Sequence, residues 1–124
     1  MSRSDWPLKE RSTFVRQALL QCAASCKRAL SDYLGQTGSS EAQGLVRDLL
    51  LATATVRAAV DFLDQDDARR ELALRLAEDA CLAAATRCRG YGLDETLLRC
   101  AVVCQRAADE VQLLLTSLGH PAPD

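Results

Sequence analysis

The stretch Leu97-Leu98-Arg99-Cys100-Ala101-Val102-Val103-Cys104-Gln105-Arg106-Ala107-Ala108-Asp109-Glu110-Val111-Gln112-Leu113-Leu114 decides the fold. In it Leu97, Cys100, Cys104, Ala107, Val111 and Leu114, with Leu118 one turn further on, recur at alternating steps of three and four. Such a repeat is the core-facing stripe of an α-helix packed at about 20° to its neighbours. The same repeat runs through Val15, Leu19, Cys22, Cys26, Ala29 and Tyr33; through Leu45, Leu49, Ala52, Val56, Ala59 and Leu63; and through Leu74, Ala77, Cys81, Ala84 and Cys88. Charged residues such as Arg47, Asp48, Arg57 and Asp61 fall off the stripes.

Breakers separate the four segments: Pro7, the glycine-serine cluster from Gly35 to Ser40, the Asp64-Gln65-Asp66-Asp67 run, Gly90-Tyr91-Gly92, and Gly119-His120-Pro121-Ala122-Pro123. They predict helices over about residues 12–34, 41–63, 68–89 and 94–118, with a tail at 119–124. Asp94 before Glu95, and Ser40 before Glu41, are plausible helix N-caps with a favourable carboxylate in the first turn. Connections this short make successive helices antiparallel neighbours, so the expected fold is all-α: a single domain over 1–124 forming an up-down-up-down four-helix bundle.

Composition agrees. Alanine (20) and leucine (21) dominate, isoleucine is absent, and valine and threonine number seven each, which favours helix and excludes an all-β fold. The balance of 15 Lys+Arg against 17 Asp+Glu argues against a nucleic-acid binder. No apolar run follows the charged start Met1-Ser2-Arg3-Ser4-Asp5, and no stretch reads as a membrane span, so the expected location is the cytoplasm, with thiols reduced. A chain of this length buries roughly two-thirds of its unfolded surface and folds without crosslinks. Its six cysteines therefore call for another explanation.

All six lie on the stripes. Cys22 with Cys26, and Cys100 with Cys104, are Cys-x3-Cys pairs, and Cys81 with Cys88 completes the set. Offsets of four and seven put both members of a pair on one helix face, able to share a metal. From the bundle end where the first and third helices finish, the 1.5 Å rise places the sulfurs at depths of about 2 Å (Cys88), 8 Å (Cys100), 12 Å (Cys26 and Cys81) and 18 Å (Cys22). All therefore share one half of the bundle. The second helix carries none, and Ala52, Thr53 and Thr55 are expected to leave room opposite the cluster. Soft thiolates select Cu(I), zinc and Fe–S clusters, and the loop-borne Cys-x2-Cys knuckle typical of zinc is missing.

Gln21-Cys22-Ala23-Ala24-Ser25-Cys26, Asp79-Ala80-Cys81 and the Arg99–Asp109 segment together resemble the bacterial copper storage proteins, cysteine-rich four-helix bundles. The resemblance implies a non-enzymatic protein that holds Cu(I) for storage, buffering or detoxification. It implies Cys22, Cys26, Cys81, Cys88, Cys100 and Cys104 as thiolate ligands. Members of that family carry many more cysteines, on all four helices, and often Met or His at the open end. Here Ala107 and Val111 stand where the repeat would continue with cysteine, and Met1 and His120 are the only Met and His. A smaller site is the expectation.

Other readings compete. Four facing thiolates can hold an Fe–S cluster. A Cys81–Cys104 disulfide would make a redox-responsive interaction protein. Cysteine is also a common small buried hydrophobe, which would leave a plain helical adaptor with Leu50, Leu51, Leu113 and Leu115 as its partner surface. Metal ions are the expected partners, with neither nucleic acid nor membrane, and the bundle faces offer a surface for a homo-oligomer. Arg87, Arg89 and Arg99 are expected to solvate the cysteine end or to attract an anionic carrier. Trp6 and Phe14 are expected to cap one end of the core and Tyr91 the other, and His120 to lie in a solvated tail. The 64–67 run lacks the glycine and closing Glu of a calcium loop and reads as a polar turn.

Overall fold

The computed structural model describes residues 7–33, 40–92 and 94–119. Four helices make up the described fold: α1 (Leu8–Tyr33), α2 (Ser40–Phe62), α3 (Ala68–Arg89) and α4 (Glu95–Ser117). α1 begins at Leu8, a turn earlier than the expected start near residue 12. Pro7 is the reason: its carbonyl accepts from the backbone N–H of Glu10 and of Arg11, so it opens the helix. A proline is tolerated there because the first turn has no use for its missing N–H.

Asp94 caps α4, its carboxylate accepting from the Leu97 N–H at 3.0 Å. Asp67, read from sequence only as part of a polar turn, does the same for α3 through the Arg69 N–H at 2.8 Å. Ser40 is the first residue of α2 rather than a residue before it, and the positions that precede it lie outside the described residues.

α1 packs on α2 and α4, and α3 packs on the same two, so the helices form a square in which α1 and α3 are diagonal. Connections of five residues, 63–67 and 90–94, are far too short to run back along a helix of about 33 Å, which makes neighbours antiparallel. The fold is an all-α four-helix bundle. Every stripe residue is buried except Leu118, which is half-buried. The stripes are wider than the 3-4 repeat, taking in Ala18, Leu30, Ala42, Ala73, Ala85, Ala101, Ala108 and Leu115. Leu115, expected on an exposed partner surface, is instead 2% exposed, because it stands one turn after Val111 on the widened stripe. Leu50 (50%), Leu51 (52%) and Leu113 (46%) do face outward.

The core changes character along its length. Away from the cysteines it holds Leu19, Val56, Leu74, Val111 and Leu114. Beside them, α2 contributes fully buried Leu45 and Leu49, about 8 and 14 Å from that end, and then the small, fully buried Ala52 at about 18 Å, level with Cys22. The hydroxyls of Thr53 and Thr55 are turned back onto carbonyls of their own helix, at Leu49 and Leu51. The small side chains buried around the sulfurs are Ala52 of α2 and Ala29, Ala77, Ala84 and Ala101 of the thiol-bearing helices. At the cysteine end Tyr33 packs edge-on against Tyr91, ring centroids 5.5 Å apart, and its hydroxyl donates to Asp94 Oδ2. Phe14 is half-buried; Trp6 and His120 lie outside the described residues.

Candidate metal centre

All six cysteines are free thiols with no solvent exposure. Their sulfurs form a connected row. Cys81 Sγ lies 3.6 Å from Cys22 Sγ, which is 3.5 Å from Cys104 Sγ. Cys104 is 3.6 Å from Cys26, Cys26 is 3.8 Å from Cys100, and Cys100 is 3.8 Å from Cys104. Cys88 extends the row, near enough to Cys100 for the two to shift each other's protonation. The row starts on α3, crosses the bundle diagonal to α1, and continues along the seam of α1 and α4. Three of the sulfurs, those of Cys22, Cys26 and Cys104, lie within 4.8 Å of one another, a set that can hold one metal ion.

With metal–sulfur bonds of about 2.3 Å, neighbouring sulfurs 3.5–3.8 Å apart subtend about 100–110° at a shared ion, close to tetrahedral and one small outward shift from trigonal. Because Cys104 neighbours Cys22, Cys26 and Cys100, its sulfur is placed to bridge two ions.

Burial in an apolar core opposes charge, and the thiols answer as a group. Hydrogen bonds with Cys104, Cys26 and Cys88 hold the Cys100 thiol below the ordinary range. The hydrogen bond with Cys100 pushes Cys104 up, joined by Cys22, Cys26 and burial. Cys88 is raised by Cys100 and by burial. Cys22 is lowered by its contact with Cys104 but raised overall by Cys26, Cys81 and burial. Buried thiols in mutual contact give up their protons when a soft cation takes their place.

The Cys81–Cys104 pairing of the redox reading is not among these close contacts: Cys81 approaches Cys22, and Cys104 approaches Cys22, Cys26 and Cys100. Of the arginines near this end, Arg87 pairs with Asp48 across α2 and α3 at 3.0 Å, Arg89 bonds Gln105, and Arg99 pairs with Glu95. Asp48, expected off the stripes, keeps only 12% of its side-chain exposure, because Arg87 covers it. The residue that sequence reasoning missed is Ser25. It is half-buried beside Cys26 and is among the groups that lower the Cys100 thiol; its position between Cys22 and Cys26 on α1 was the available signal.

No described helix is long and apolar enough to cross a membrane. No curated protein and no solved structure matches the chain. A family described as copper storage protein matches over residues 8–116, which takes in all four helices and all six cysteines. The sulfurs of Cys22, Cys26 and Cys104 form a buried set that could hold a metal ion, and the chain thus belongs to the copper storage protein family.

Proposed function

We propose that the chain stores or buffers Cu(I) on all six thiols, as a small chain of ions bridged by sulfur along the row Cys81–Cys22–Cys104–Cys26–Cys100–Cys88. The observation that carries this is the row's continuity: five sulfurs are linked by separations of 3.5–3.8 Å, with Cys88 at the Cys100 end. Copper fits better than a harder metal because the site offers soft sulfur amid alanine and leucine, with Ser25 as its polar neighbour. The row spans half the bundle, which supports a capacity of a few ions. Holding metal rather than catalysis is supported by the same surroundings, since the described residues around the sulfurs are mainly alanine and leucine rather than groups that act as a base. Six free thiols also support a reducing compartment, the cytoplasm.

Titrating the reduced protein with Cu(I) against a competing chelator tests the proposal. About two or more tightly held ions per chain are expected, with loss of all six thiols to alkylation on loading. Stoichiometry near zero, or a brown iron–sulfur chromophore in anaerobically purified protein, refutes it.

A further inference from the structure

We infer that Cu(I) reaches the thiol row from the side, through the groove between α1 and α4, and that this groove receives it as an anionic Cu(I)–dithiolate complex. The inference rests on the storage reading above and adds to it a route and a donor.

With every sulfur buried, incoming metal must cross some wall of the bundle. The end nearest Cys88 is closed by Tyr33 and Tyr91: one ring lies edge-on to the other, Tyr33 is tied to Asp94, and the Tyr91 N–H is bonded to the Cys88 carbonyl. Toward the opposite end, Leu19, Leu74, Val111 and Leu114 fill the core. Grooves on α1/α2 and α2/α3 both lie against α2, which carries no thiol, and the second is edged by the carboxylates of Glu41, Asp48 and Asp79.

The α1/α4 groove differs on each count. Its two helices carry Cys22, Cys26, Cys100 and Cys104. Its inner wall is thin: Ser25 and Val103 line the groove, both are half-buried, and each directly precedes a cysteine of the row. Ser25 directly precedes Cys26, whose sulfur is 3.8 Å from Cys100 Sγ. Arg28, Arg99 and Arg106 flank the opening against the single carboxylate of Glu95, which pairs with Arg99 at 2.7 Å. Among the described residues Arg28 and Arg106 make no ion pair, and the lining of the opening carries three arginines against one carboxylate.

That charge selects the form of the cargo. A Cu(I) ion held by two thiolates carries a net charge of −1 at the metal, and thiol carriers bearing carboxylates add more. In the groove, Cys100 Sγ displaces one donor sulfur and Cys26 Sγ, 3.8 Å away, displaces the other. Two Cu–S bonds form as two break. The protons of the two cysteine thiols leave on the departing donor thiols, and copper stays Cu(I) throughout.

The test is stopped-flow loading of the reduced protein from a Cu(I)–glutathione complex. The double variant Arg28→Glu/Arg106→Glu is expected to load about tenfold more slowly at low ionic strength. The deficit should disappear near 0.5 M salt, where the screening length is roughly 4 Å. Final stoichiometry should be unchanged, and loading from the cationic Cu(I)–acetonitrile complex should not slow. Ser25→Leu, which thickens the wall, should slow loading from both donors, while Tyr33→Phe, which unties the closed end, should leave the rate unaltered. Wild-type rates in both groove variants, or acceleration by Tyr33→Phe, would overturn the route. A wild-type protein that took up no Cu(I) from either donor would instead refute the storage reading, and the route with it.

Discussion

Replacing Cys104 by alanine removes a sulfur with three close neighbours in the row, at the cost of one small side chain in the core. In the metal-free protein the penalty is modest. Losing a buried group the size of a methylene costs about 0.8 kcal/mol. An unfilled space of about 25 Å³ adds about 0.6 kcal/mol. For 124 residues the unfolding entropy is about 0.26 kcal/mol/K, so a total of about 1.4 kcal/mol lowers Tm by about 5 °C. In the loaded protein the loss is larger. Metal present at a thousand times its Kd adds about 4 kcal/mol to wild-type stability, or about 15 °C. Cys104→Ala removes the sulfur that closely approaches both Cys22 and Cys26, leaving those two only within 4.8 Å of each other, so a large part of that gain should vanish and at least one ion should be lost. Cys88→Ala, at the end of the row, should cost the apo protein about as much but give up less copper. Differential scanning calorimetry with and without Cu(I), paired with metal analysis, reads both quantities. A Cys104→Ala protein that binds as many ions as wild type, with the same thermal gain, would show that the row is not the site.

Ala107 is fully buried one turn beyond Cys104 on the same stripe, so Ala107→Cys should lengthen the row and raise bound Cu(I) by about one ion per chain, for a packing cost of about 1–3 kcal/mol; an unchanged ion count by elemental analysis would mean that capacity is not set by row length. A Cβ at Gly44 would meet the Arg87 guanidinium at 3.1 Å. That group is the end of a flexible side chain, so Gly44→Ala should shift it, loosen the Arg87–Asp48 pair and still stabilise α2 by up to about 1 kcal/mol through helix propensity; a lowered Tm would show that the pair outweighs the backbone. Tyr33 keeps its proton up to about 12, because its hydroxyl donates to Asp94 and is buried. Folding thus favours the protonated phenol, and the stability it brings is whole below the usual value of 10 and fades as pH rises toward about 12. Phenolate absorbance of Tyr91→Phe, which leaves Tyr33 as the only tyrosine, should show that high midpoint, and adding Asp94→Ala should return it toward 10; a midpoint near 10 with Asp94 present would dissolve the contact.

Helix stripes and the gathering of thiols were legible because both depend on spacing alone: a residue every three or four positions fixes a face, and the rise fixes a depth. Cys22, Cys26 and Cys104 could be placed together without knowing any side-chain rotamer. What spacing could not supply was the partner across the bundle. Depth put Cys81 level with Cys26 and Cys104, yet its close neighbour is Cys22 on the diagonal helix, a matter of which way each Cα–Cβ bond aims across the square. Leu115 was misplaced for a related reason. The stripe is wider than its seam, and a charge off the seam can still be covered by a long neighbour such as Arg87. The start of α1 turned on whether Pro7 ends an irregular stretch or opens a helix, and a sequence permits both.

The leucine wall of α2 has a consequence for the life of the protein. In small zinc domains the ion is the core, so surrendering it means unfolding. Here Leu45 and Leu49 complete the hydrophobic interior beside the thiols whether or not copper is present. The vessel therefore keeps its shape when drained: a cell short of copper can withdraw the cargo without exposing the container to proteases, and the same molecule is ready to be filled again.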